Sequence, residues 1–293
     1  MKYFSLFTGI GGLDYGLAEF AECVGFSEIK KSSIQIYKKH YPTHRCYGDI
    51  TSIDYSKLPD FDILTGGFPC QSFSLAGLRK GFEDRRGKMI FFIHDLLKVK
   101  NPQFVVLENV KGILTHDKGR TYKDVIKLLS SLGYHVRIVL LNAIHYGSPQ
   151  NRERVLFLGS LNDFPVKQPV ILNTKTRFRE IRDDNESLYK AISKTERNIQ
   201  KIEQKLSFNF ELIGGYDRVG TLTTQFGCGE KVLPWKDWFR YLTPLECERL
   251  QGFKDGWTEG VSTADRYFAL GNAVNCNMSK YLFGNYLKDL WWS

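Results

Sequence analysis

No stretch of this chain approaches the roughly 20 consecutive apolar residues that a membrane-spanning helix requires. No Cys-x-x-Cys pair occurs among Cys23, Cys46, Cys70, Cys228, Cys247 and Cys276, and no histidine stands near them at zinc-ligand spacing. That pattern argues against a disulfide framework and against a structural zinc, so no metal site is expected. The opening Met1–Phe7 is apolar but too short for a signal peptide, and it runs directly into glycines. Internal repeats and low-complexity tracts are also missing. A cytoplasmic protein with reduced thiols is the expectation.

The 293 residues, 42% hydrophobic and 25% charged, suffice for a full hydrophobic core in one large domain with a smaller one attached. A net charge of +9 suits polyanion binding, because each phosphate contact releases a condensed counterion, and it suits simple solubility equally well.

Short apolar runs alternate with helical patterns through the first half. Tyr3–Phe7, Glu22–Phe26, Phe61–Thr65, Phe104–Glu108, Val136–Leu141 and Val155–Gly159 read as strands. Leu13–Phe20, Ser33–His40, Lys88–Lys98 and Tyr122–Leu132 read as helices between them. Continuous runs such as Phe104–Leu107 suit strands buried on both faces, hence a doubly wound, mostly parallel α/β fold. After about residue 165 the chain turns polar. A helix is expected over Ser187–Leu206, and Gly and Thr cluster from Gly214 to Gly229. Residues 166–239 therefore read as a small second domain, with 1–165 and 240–293 forming the larger one. Helical patterns return at Thr243–Gln251 and Asn277–Leu290.

Phe7-Thr8-Gly9-Ile10-Gly11-Gly12-Leu13 follows the first strand and precedes a helix. In that place a glycine turn lets backbone N–H groups approach a nucleotide-like ligand. Asp14 stands where a strict Gly-x-Gly-x-x-Gly would need its last glycine, which disfavours a pyrophosphate cofactor but not other adenine-containing ones. Glu28, ending the second strand, is placed to bond ribose hydroxyls, and Asp49 to reach an adenine amine. Cys70 follows Ile63–Thr65 and two glycines, with Pro69 fixing the backbone just ahead of the thiol. A cysteine taken singly is usually an inert core residue. Here a strand aims it at the carboxyl edge of the sheet, where ligands bind. Ser72 and Ser74 are suited to positioning phosphates. Glu108 ends another strand at that edge, where a carboxyl group could hydrogen-bond a protonating pyrimidine, or donate the proton if its surroundings raise its pKa. In Gln150–Arg154, alternation places Arg152 and Arg154 on one face, as planar donors for phosphate or a base oxygen.

Together these segments resemble the bacterial and phage DNA (cytosine-5) methyltransferases. The resemblance rests on Phe4–Gly12, Gly66–Ser74, Glu108–Val110, Gln150–Arg154, Arg240–Phe253 and Gly271–Val274 in that order, and spans nearly the whole chain apart from 166–239. It implies S-adenosylmethionine as methyl donor. Phe7 would pack on the adenine beside Gly9, Gly11, Gly12 and Leu13, with Glu28 on the ribose and Ile29 over the other adenine face. Asp49 and Ile50 would complete that site, Pro69 and Met89 would add contacts, and Asn272 and Val274 would close it. Cys70 would be the nucleophile, adding to carbon 6 of a cytosine flipped out of duplex DNA. Glu108 would hold ring nitrogen 3 and the exocyclic amine, and Arg152 or Arg154 the base oxygen. The 166–239 stretch stands where the family keeps its target-recognition domain. Gln71, Ser74 and Thr221 are the expected DNA contacts. A monomer without an obligatory protein partner is expected, serving a restriction-modification system or acting as an orphan or phage methylase. The nearest alternatives are a relative acting on tRNA cytosine, an inert DNA-binding relative and a nucleotide-dependent oxidoreductase. Pro-Cys-Gln-Ser, the intact Cys70, Glu108, Arg152 and Arg154 set, and Asp14 disfavour them in turn.

Overall fold

In the computed structural model, which describes residues 1–69, 89–165, 167–172, 174, 176–191, 218–224, 232–235 and 238–288, the apolar runs become a central six-stranded sheet. In chain order the elements begin with β1 (Lys2–Leu6), α1 (Asp14–Leu17), β2 (Glu22–Ser27), α2 (Lys31–His40), β3 (Ile63–Gly67), α3 (Met89–Lys100) and β4 (Phe104–Val110). There follow α4 (Arg120–Ser130), β5 (His135–Asn142), β6 (Gln150–Asn151), β7 (Glu153–Ser160), α5 (Phe178–Ile181) and β8 (Val219–Gly220). The chain then forms β9 (Val232–Trp235), β10 (Trp238–Tyr241), α6 (Pro244–Gln251), α7 (Thr263–Asn272) and α8 (Cys276–Tyr281). The sheet runs β2-β1-β3-β4-β7-β5, parallel throughout except that β7 is antiparallel to both neighbours.

Alternation along each strand divides the apolar side chains between two layers. Phe104 and Val106 face one core, with Leu156, Leu158, Leu17, Met278 and Phe283. Val105 and Leu107 face the other, with Val155, Phe157, Ile93, Leu97, Val125 and Leu129. The strands are thus buried on both sides, which is why they read as unbroken hydrophobic runs. A third core, around Ile10, Leu222, Leu242, Leu250 and Tyr267, joins α6 and α7 to the 218–222 segment.

The chain passes from β1 outward to β2, then returns across β1 to β3. This reversal opens a crevice beyond the strands' carboxyl ends, the ligand-binding place of open α/β sheets. The end of α7 and the turn after it line this crevice. Ser279 Oγ donates to Leu13 O (2.7 Å) and accepts from Gly16 N (3.2 Å), fastening α8 to α1.

At α6 the sequence Thr243-Pro244-Leu245-Glu246 forms a reciprocal cap. Thr243 Oγ1 accepts from Glu246 N (3.1 Å), and the Glu246 carboxylate accepts from Thr243 N (2.8 Å). Arg240 grips the same buried carboxylate at 2.7 and 2.8 Å. Within Ser187–Leu206 the described residues depart from the expected helix. Only a 3₁₀ turn forms at Glu186–Leu188, and Ala191 bridges to Arg240 instead, while the remainder lies outside the described residues. Leu188, the first residue of the expected apolar face, is 56% exposed and supplies no burial to hold a helix here. Helix α7 was not expected, although Ser262 caps it by accepting from Asp265 N (3.1 Å).

Candidate active site

A cleft of about 960 Å³ occupies the crevice, bounded by the β1 turn, the ends of β3 and β4, Asn151, Glu153 and Arg154, residues 221–224 and the end of α7. Its size is at the upper end of the range for small-molecule sites, enough for a nucleoside-type ligand.

The β1 turn is built for close approach. Phe7 takes φ +50°, a conformation that bulky residues rarely hold, and Gly9 and Gly11 take +60° and +88°. Glu28 fixes the turn: its carboxylate accepts from Gly9 N (2.9 Å), Ile29 N (2.8 Å) and Lys30 N (2.9 Å). Phe7, Gly9, Gly12, Leu13, Glu28 and Ile29 all line the cleft, as do Pro69, Asn272 and Val274. Gly12 is required by packing, since a Cβ there would stand 2.3 Å from Val274 O. Gly11 faces away, against Tyr37 and Tyr41.

Three expected cofactor contacts are not among the residues lining this cleft. Asp49 is exposed and uses its carboxylate to accept from Thr51 N (2.9 Å), capping its own turn. Ile50 is buried in the second core, and Met89 packs half-buried against that core. A strand-end position suggested Asp49, and the family resemblance Ile50 and Met89; here Asp49 caps its own turn while Ile50 and Met89 pack with the second core.

The reactive edge lies opposite. Glu108 is 8% exposed, and its Oε1 meets Arg154 Nε at 2.7 Å. Arg154 also donates to Glu153 O (2.8 Å). Gly67 makes room for this carboxylate, because a Cβ there would lie 2.9 Å from Glu108 Oε2. Asn109 Nδ2 donates to Phe68 O (2.8 Å), tying the chain just before Pro69 and Cys70 to β4. Cys70, Gln71, Ser72 and Ser74 lie outside the described residues. Thr221 lines the cleft and donates to Asn151 O (2.7 Å).

Arg152 corrects the expectation of a shared face with Arg154. The strand breaks at residue 152, between β6 and β7, so alternation does not run through it. Arg152 is fully buried behind the cleft wall and donates to the carbonyls of Leu222 (3.1 Å), Gly271 (2.9 Å) and Ala273 (2.7 Å). Of the two arginines, Arg154 alone lines the cleft.

Phe268 and Asp14 are among the cleft residues that escaped the sequence reading. Phe268, 37% exposed, lies one helical turn before Asn272 on α7, with the Lys30 ammonium 3.7 Å from its ring centre. The Ser262-x-x-Asp265 cap would have revealed that helix and hence its face. The other is Asp14, which had signified only the absence of a glycine. It is fully buried at the cleft floor and accepts from Ser5 Oγ (3.0 Å) and Tyr37 OH (2.8 Å).

Burial pushes the Asp14 carboxyl up to about 6, against the lowering effect of the Tyr37 and Ser5 hydrogen bonds. The folded protein therefore holds this proton more tightly than the unfolded chain does. The associated stability is present in acid and is lost as pH rises through about 6, a change of about 3 kcal/mol. Asp14→Asn retains an acceptor for Tyr37 and removes the titration. Its thermal midpoint, relative to wild type, is expected to improve as pH rises from about 4 to about 7. A pH-independent difference would refute this assignment.

The described residues contain no helix long and apolar enough to cross a membrane. The fold is similar to that of the Entamoeba histolytica methyltransferase EhMeth, with TM-score 0.78, 19% identity and coverage of 99% of this chain and 98% of that one. Sequence similarity is greater elsewhere. The Type II methyltransferase M.NlaX of Neisseria lactamica is 38% identical over 290 residues, which cover 93% of this chain and 92% of that protein. The Type II methyltransferase M.Bsp6I of Bacillus sp. (strain RFL6) is 33% identical over 309 residues, covering 98% of each. The family described as C-5 cytosine-specific DNA methylase matches residues 1–229 and 185–288. With the glycine turn, the Glu108–Arg154 pair and the cleft between them, these matches establish that the chain belongs to the C-5 cytosine-specific DNA methylases and is a DNA (cytosine-5) methyltransferase.

Proposed function

We propose that this enzyme takes its methyl group from S-adenosylmethionine and acts on a cytosine flipped out of duplex DNA, with Cys70 as nucleophile. The observation that carries this reading is the single cleft joining the Glu28-braced glycine turn to the Glu108–Arg154 pair. The residues fit such a cofactor: a turn open to backbone approach, a carboxylate at the end of β2 and apolar walls from Phe7, Leu13 and Val274. Phe7, Glu28 and Ile29 would hold the adenosine part, and Asn272 and Val274 the remainder. When bound, S-adenosylmethionine supplies an electrophilic methyl group to carbon 5.

The chain's own groups make carbon 5 reactive. The Cys70 thiolate adds to carbon 6, and the displaced electron pair gives carbon 5 enamine character. Glu108 holds ring nitrogen 3 and the exocyclic amine, while Arg154 fixes Glu108 and stands beside the base oxygen. Loss of the carbon 5 proton expels Cys70 and restores the aromatic ring. Burial of the Glu108–Arg154 pair strengthens these contacts by excluding water.

Residues 166–239 serve in this reading as the target-recognition domain, with Gln71, Ser74 and Thr221 meeting DNA. The protein would work as a cytoplasmic monomer in a bacterium or phage-infected cell, protecting DNA within a restriction-modification system or as an orphan methylase. Labelled methyl groups from S-adenosylmethionine are expected to enter duplex DNA and, on bisulfite sequencing, to mark one cytosine context. Transfer to tRNA with none to DNA would overturn the assignment of substrate.

A further inference from the structure

Arg152, fully buried and off the cleft wall, joins three stretches of chain that the sequence keeps far apart. Its three acceptors belong to two segments that do face the cleft: Leu222 within 221–224, and Gly271 and Ala273 beside Asn272 and Val274. These segments touch through their backbones, since a Cβ on Gly271 would stand 2.2 Å from Thr223 O. Two buried glutamines reinforce the junction. Gln150 accepts from Leu222 N (3.1 Å) and donates to Leu250 O (3.2 Å) and Gln251 Oε1 (3.3 Å). Gln251 donates to Leu270 O (2.6 Å) and Ala273 O (3.4 Å).

We propose that Arg152 is a positioning residue that couples the DNA-facing segment 221–224 to the cofactor-side wall 271–274. This rests on the function proposed above, which assigns a ligand to each wall. In a dry site a lost carbonyl contact is not replaced by water, so the guanidinium resists separation of its acceptors. Its rigid fork also fixes their mutual directions. DNA that shifts Leu222 therefore shifts Gly271 and Ala273, and the coupling acts equally in reverse.

Equilibrium dialysis of labelled S-adenosylhomocysteine, with and without unmethylated phage lambda DNA, tests this. Wild type is expected to bind the probe about tenfold more tightly with DNA present. In Arg152→Lys, whose single ammonium cannot span three carbonyls, that gain is expected to fall below about twofold while affinity without DNA stays within about threefold. If Arg152→Lys fails to fold by circular dichroism, Gln251→Met, which cuts the second link, is expected to show the same loss of gain. An equal reduction with and without DNA signifies a merely structural residue and overturns the proposal. Wild type that methylates DNA yet shows no gain overturns the coupling alone. Wild type that neither binds the probe nor methylates DNA overturns the underlying function.

Discussion

Cys70→Ala is expected to reduce methyl transfer to DNA by at least about three orders of magnitude, because removing a covalent nucleophile leaves only binding and electrostatic contributions. The fold should persist: β3, which leads to Cys70, is held between β1 and β4, and Asn109 secures the chain at Phe68 O. The decisive measurement uses DNA carrying 5-fluorocytosine. Fluorine at carbon 5 blocks the last elimination, so wild type should remain covalently attached in a denaturing gel and Cys70→Ala should not. Trapping by the alanine variant would place the nucleophile elsewhere. Loss of transfer together with loss of S-adenosylhomocysteine binding would point to damage at the cofactor wall.

The second large effect concerns Glu108. Glu108→Gln preserves volume but cannot pair ionically with Arg154, and is expected to lower kcat about 10²- to 10⁴-fold. It should also destabilise the protein by about 3 kcal/mol, since removal of one partner leaves a buried guanidinium uncompensated. The two consequences separate in Glu108→Gln/Arg154→Met. There the thermal midpoint is expected to recover in part while kcat stays low. Recovery of kcat along with stability would reduce Glu108 to a structural partner of Arg154.

Much of this architecture is legible in sequence because burial on both faces of a sheet writes itself as unbroken apolar runs. Phe104–Leu107 is an example, and it delivers Glu108 to the reactive edge without reference to anything distant. Arg154 was legible by another route, through alternation across Gln150–Arg154 and the family resemblance. Arg152 was not, because alternation presumes an uninterrupted strand and the chain breaks there to meet Leu222, Gly271 and Ala273. Asp49 illustrates another limit. Local capping competes for a carboxylate's lone pairs, and sequence position does not say which use prevails. Asp14 escaped because its importance arises from Tyr37 and Ser5, which meet it only after α1 and α2 pack.

The fastening of α8 to α1 bears on how the molecule is made. Ser279 bonds Leu13 and Gly16 across separations of 266 and 263 residues, and Val274 lies on Gly12, so one wall joins distant parts of the chain. Contacts of such sequence separation form slowly. Until they form, Leu13 and Leu17 lack the cover of Met278 and Phe283. Late closure of that contact would leave an apolar face of the kind that chaperones hold, so refolding of this side is expected to be slower than that of the central sheet.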